Sequence, residues 1–437
     1  MPDLKKNLPK KTVESVLSLD AILFTILAFQ YLITSTAKVT SYIFISTIIA
    51  CIIFYLLIDH YSKIKLTRFA FKLKNITFFL IVLLLIYIPA IKLISIRMDN
   101  TSPILIVDGA IMVEEASKKL LEFKNPYSIS YQDALANWPY KVGDIKRNPT
   151  VDHFPYLPAI VIINSAGYLI FQNILGFFDT RIISLIFLTC SLYLIFRFTK
   201  LPQKKIVFAT LVAFNPLFIS SFLWGLNDIY IVFFILATTY ALKAKKYQLA
   251  IALFAIASAI KQLAWPLAPF LFFYLANLDK KAPVDKIKFL LQSSKYAGVL
   301  FAVVVLPFVI QNPKNFWDDI WIFSSDTTVL SGYGFSEILY NMGIIQSRSA
   351  YFPFGLLQIL IAVPATLILL WRQKKNNKIG QVLLNYSLLL FLLLYFARNL
   401  NHNYIAYLST LVTITFFVSS EEFIPRNKVR NQRTLLR

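Results

Sequence analysis

Two carboxylates, Asp99 and Asp108, lie in the polar stretch 97–155 and flank the apolar run Ile104-Leu105-Ile106-Val107. A carboxylate beside apolar chain is partly desolvated, and a general base that must take a hydroxyl proton works best in such surroundings. Against this stands the ordinary solvated loop aspartate. Farther along, Trp224-Gly225-Leu226-Asn227-Asp228 sets an amide and an acid directly before an apolar segment. A polar turn broken by glycine would look the same, but ionisable groups at membrane depth are costly and tend to be retained for function. Lys261 ends the apolar run Leu249–Ile260, and Arg398 and His402 share the last polar turn. Lysines at helix ends often only snorkel. Cationic groups gathered at one face could instead meet an oxyanion or phosphate. The sequence has no HExxH, P-loop or Rossmann fingerprint, and ligand spacing supports no metal site, so no cofactor is expected.

The elements that must carry these residues are membrane helices. Of 437 residues 57% are hydrophobic and 15% charged, too few charges to solvate a soluble chain of this size. Apolar runs at about 16–35, 41–58, 76–95, 156–177, 180–197, 206–223, 228–243, 247–261, 263–277, 295–310, 352–371, 379–397 and 402–418 predict an all-α polytopic protein with about 12–13 transmembrane segments in one domain, 1–437. An odd count disagrees with two basic termini, and 156–177, with Pro158, Asn164 and Gly167, is the segment expected not to cross fully. The net charge of +22 sits in short basic clusters between spans, which argues for cytoplasmic loops and termini rather than nucleic acid. More than half of the 22 acidic residues fall in 97–155 and 311–350, so these two loops are expected on the extracytoplasmic side. Cys51 and Cys190 lie in apolar runs and offer no disulfide framework.

Periodicity predicts a helix over 109–124 with Met112, Ala116, Leu120 and Phe123 on its apolar face and Glu114/Lys118 and Glu115/Lys119 pairs opposite, lying along the membrane. Phe316, Trp317, Ile320, Trp321 and Phe323 predict a second membrane-parallel helix.

Asp108, an amphipathic helix ending in Lys124-Asn-Pro-Tyr127, and Phe154-Pro-Tyr-Leu-Pro158 resemble the first outer loop of GT-C superfamily glycosyltransferases, above all the polyprenyl-phosphate-mannose-dependent mannosyltransferases. Phe214-Asn-Pro216, Trp224–Asp228 and Ala259–Pro266 are similar to later segments of those enzymes, and Asn401-His402-Asn403 falls where relatives often carry a His-rich turn. Phe123, Leu157 and Leu226 depart from the family's Gly, Pro and Gln. The resemblance implies inverting transfer of a hexose, mannose favoured, from a polyprenyl-phosphate donor to a glycan or glycolipid acceptor. It implies Asp108 as base with Asp99 as its competitor, Lys261, Arg398 and His402 at the donor phosphate, and Tyr127, His153, Tyr156, Asn227 and Asp228 at the substrate. A transporter or flippase would call for repeats or intramembrane charge pairs, and an O-antigen polymerase or ligase for a dominant loop late in the chain.

Overall fold

The computed structural model describes residues 17–34, 42–64, 68–100, 105–143, 145–199, 201–278 and 283–422. It is an all-α bundle whose described strands are Ser331–Gly332 and Asn399–Leu400, paired in parallel. Among the described residues, seven helices are long and apolar enough to cross a membrane, or eight if the bent pair Gln203–Ala213 and Pro216–Leu223 is one span. The protein is a multi-pass membrane protein.

Several expected spans are shorter helices: Asp228–Lys243, Tyr247–Ile260 and Ile379–Tyr395 have 16, 14 and 17 residues. At 1.5 Å per residue each reaches roughly 21–26 Å, less than the ~30 Å hydrocarbon layer. The segment expected to be interrupted is instead the unbroken Pro158–Leu175, one of the seven. Pro158 stands in the first turn, where its missing N–H costs no helical bond. Gly167 is there for close packing: a Cβ would fall 2.6 Å from Ile183 Cδ1. The 53° break lies at Phe214-Asn215-Pro216, where Asn215 caps the second helix by accepting from Phe218 N. In Phe69–Asp99, Pro89 lacks the N–H that residue 85 would need, and the backbone there loosens into the π-turn Leu83–Tyr87.

Lipid supplies no hydrophobic drive between helices, so close contacts and polar bonds hold the bundle. Lys74 pairs with Asp20 and, at 2.6 Å, with Asp59, all three about 1% exposed, tying the first three described helices together. Near the other end of the long helix Arg97 reaches Glu114 and Asp179 at 2.9 Å, and Asp179 also takes the guanidinium of Arg181 at 2.7 Å. Thr180 and Tyr230 both reach Asn164 Oδ1.

The expected amphipathic helix is Asp108–Leu121, with Met112 and Ala116 buried. Two details differ. Glu114 pairs with Arg97 rather than Lys118, because its side of the helix packs inward toward Asp179; Lys119 does pair with Glu115. Phe123 leaves the apolar face: it lies past the helix end at φ 60° and is 96% exposed. The second loop forms Pro313–Trp317 and the π-helix Asp318–Thr327, with Trp317 stacked on Trp321 and Ile320 and Phe323 buried. Asparagines tie the first loop to the second and to the helix Pro283–Gln311 before it: Asn125 donates to Phe308 O in that helix, Asn312 to Ser128 Oγ and Asn315 to Tyr127 O.

Candidate active site

Asp108 opens its helix, in the first turn, where unpaired backbone N–H groups favour negative charge. One carboxylate oxygen accepts from Gly109 N and the other from Asn148 Nδ2, both at 2.8 Å. The turn before it is pinned on three sides. Val107 N donates to Trp224 O at 2.9 Å, Trp138 Nε1 to Ile106 O at 2.8 Å, and Arg181 Nη1 to both Leu105 O and Leu223 O. Arg181 is fully buried and thus couples the approach to Asp108 with the approach to Trp224–Asp228.

Gly225 has φ +88°, and a Cβ there would strike Ile106 and Ala110, so only glycine lets this turn sit on the start of the Asp108 helix. The turn delivers Asn227 and Asp228, 2% and 3% exposed. Asp228 Oδ1 takes Lys261 Nζ at 2.6 Å, and Oδ2 takes Asn403 Nδ2 at 3.1 Å. Lys261 is in extended backbone where Tyr247–Ile260 ends and the 3-10 turn Gln262–Leu267 begins. That break lets a helix-end lysine turn into protein, where a snorkelling one would turn outward.

Tyr156 joins the two halves. Its hydroxyl crowds Gly109, its ring lies 5.4 Å from Lys261 Nζ, and its carbonyl accepts from Tyr127 Oη at 2.6 Å. Burial first, then the charge of Asp108, hold its phenol well above the ordinary value and therefore protonated. Tyr140, beside Asp108, is pushed up to about 12 for the same two reasons.

Asp108, Tyr156, Asn227, Asp228 and Lys261 thus come together. Asn227 Oδ1 is buried and, among the described residues, has no partner, an acceptor that a donor group could satisfy. His402 is exposed one residue before Asn403. Asp99 is exposed at the end of Ile88–Asn100, separated from Asp108 by residues outside those described. Arg398 is fully buried and donates to the carbonyls of Asp326, Thr328, Arg348 and Ala350, bracing the second loop. Tyr127 is buried among Phe154, Phe308 and Phe316. His153 turns to the second loop, Nδ1 2.8 Å from Asp319 Oδ1. The sequence reading missed Asn148, Tyr140 and Arg181, and named Asn403 only as part of the Asn401-His402-Asn403 turn, with no role of its own. Asn148 alone carried a local signal, the Asn-Pro pair that starts a turn at Pro149–Val151.

No curated protein and no solved structure matches the chain. Residues 119–277, which include Tyr156, Asn227, Asp228 and Lys261 but not Asp108, match a family model, MptA_B_family, described as alpha-(1->6)-mannopyranosyltransferase, N-terminal domain. The similarity to that mannosyltransferase domain covers just over a third of the chain, within a polytopic helical architecture.

Proposed function

We propose that the chain transfers mannose, with inversion, from a polyprenyl-phosphate donor to a glycan or glycolipid hydroxyl, on the extracytoplasmic face and with both termini cytoplasmic. The observation that carries this reading is that a carboxylate and a buried ammonium, Asp108 and Lys261, both neighbour Tyr156. Asp108 takes the acceptor proton as the hydroxyl oxygen bonds to the anomeric carbon. The bond from that carbon to the phosphate oxygen breaks, and polyprenyl phosphate leaves with the electron pair.

Lys261 stands where the developing phosphate charge needs a preorganised cation. One of its three N–H donors is spent on Asp228, which holds it in place. His402 is the exposed second contact. Arg398, spent on loop carbonyls, acts by shaping the loop. Asn227 Oδ1 accepts a sugar hydroxyl. Asp99 remains the competing base.

The test is transfer of radiolabelled mannose from polyprenyl-phosphate mannose by purified protein. Asp108→Asn is expected to lower kcat at least 10³-fold, of the order reached by general-base catalysis, with unchanged thermal unfolding. Wild-type-like turnover in Asp108→Asn, with loss in Asp99→Asn, would transfer the role to Asp99.

A further inference from the structure

His153, Asp318 and Asp319 meet where the end of the first long loop touches the second. His153 Nδ1 lies 2.8 Å from Asp319 Oδ1 and 3.4 Å from Asp318 Oδ2, and the three atoms fall within 4.8 Å of one another. Ligand atoms bonded at about 2.1 Å to one ion stand roughly 3.0 Å apart in an octahedron and 3.4 Å apart in a tetrahedron. The two edges through His153 bracket those values. The imidazole is already oriented, stacked on Phe323 with ring centroids 4.3 Å apart and 16° between planes. Asp319 is 4% exposed and accepts the backbone N–H of Phe154. Such outer contacts hold a metal ligand in position.

Charge points the same way. Two carboxylates face one imidazole, and among the described residues neither has a Lys or Arg in ion-pair reach. The next charge, Asp152, is also negative and is paired with Arg147 at 2.7 Å. A mixed imidazole and carboxylate set suits first-row divalent ions better than Ca²⁺, which prefers oxygen alone.

We propose that His153 Nδ1, Asp318 and Asp319 bind one divalent transition-metal ion, Mn²⁺ or Zn²⁺, which clasps the second loop onto the first. Asp108 and Lys261 are not among the ligands. The clasp bears on their site through Ile320, whose carbonyl accepts from Gln262 at 3.0 Å, next to Lys261. Binding does not depend on the proposed mannosyl transfer. From the imidazolium the ion displaces the Nδ1 proton, which leaves to solvent while Nε2 keeps its own, so binding weakens at low pH.

The experiment uses the purified full-length protein, stripped with chelator, and Mn²⁺ followed by electron paramagnetic resonance with Zn²⁺ as competitor. One Mn²⁺ per chain is expected, displaced by Zn²⁺. Its affinity should fall at least tenfold in His153→Gln and in Asp318→Asn, a half-exposed position where folding is least at risk. Asp152→Asn, a nearby acid that is not a ligand, should keep the affinity within about twofold. No stoichiometric binding of Mn²⁺ or Zn²⁺ up to 1 mM (about −4 kcal/mol) overturns the site and leaves a His–Asp ion pair. So does equal weakening in all three variants, which would mark diffuse charge attraction.

Discussion

Gly109→Ala separates the site from the fold. A Cβ at Gly109 would lie 2.1 Å from Tyr156 Oη and 3.3 Å from its Cζ. Reaching the 3.4 Å of ordinary contact moves the hydroxyl by roughly 1.3 Å. Tyr156 has little room for that movement: Phe154 packs edge-on at 5.5 Å and Lys261 sits over the ring. Overpacking of this kind costs about 1–3 kcal/mol, and replacing a helical glycine by alanine returns about 1 kcal/mol. The expected net destabilisation is therefore at most about 2 kcal/mol. The effect on the proposed mannosyl transfer should be larger, because a displacement near 1 Å can cost about 10²-fold in rate. The assay is a double-mutant cycle with Tyr156→Phe, read by turnover and by thermal unfolding in detergent. Phenylalanine removes the atom that clashes, so Gly109→Ala/Tyr156→Phe should return to the level of Tyr156→Phe alone. The reasoning fails if Gly109→Ala keeps wild-type turnover, or if the double variant is as slow as Gly109→Ala.

Two other outcomes follow from buried charge. Lys261→Met leaves Asp228, among the described residues, with only the side chain of Asn403 as a partner, and should lower unfolding free energy by about 3–5 kcal/mol along with activity. Lys261→Met/Asp228→Asn should regain most of that stability while transfer stays lost; an active double variant would remove Lys261 from the chemistry. For His153, the hydrogen bond to Asp319 raises the imidazole above its ordinary value of about 6.5. Without metal, the ion-pair contribution is therefore full below that value and is lost as pH rises through the folded one. Histidine NMR, with His153→Gln for assignment, should show a midpoint above 6.5 that drops in Asp319→Asn; an unmoved midpoint would detach the imidazole from that carboxylate.

Much of this site was legible residue by residue. Asp108, Asn227, Asp228 and Lys261 each interrupt apolar sequence, and an ionisable group placed there has to find a partner or a task. The partners were not legible. Asn403 lies 175 positions from Asp228, and Asp319 lies 166 from His153. Arg181 reads as a basic residue at a helix start, yet the fold buries it completely between two turns. Phe123 shows the reverse error. Periodicity assigned it to the apolar face, but Leu121 is the last helical residue, and beyond that point the 3.6-residue repeat no longer fixes direction.

By itself the sequence determined the medium and the kind of structure. With apolar runs this long and so few charges, backbone groups in lipid must be satisfied within each helix, and an all-α polytopic chain is the outcome. It also marked which polar residues interrupt those runs. Only the tertiary structure decided which of them meet: Tyr156 lodged between Gly109 and Lys261, Asp228 closed by Lys261 and Asn403, Arg398 spent on its own loop. Helix periodicity is local, whereas the packing angles and breaks at Gly225, Pro216 and Lys261 that aim those side chains depend on neighbours far away in the chain.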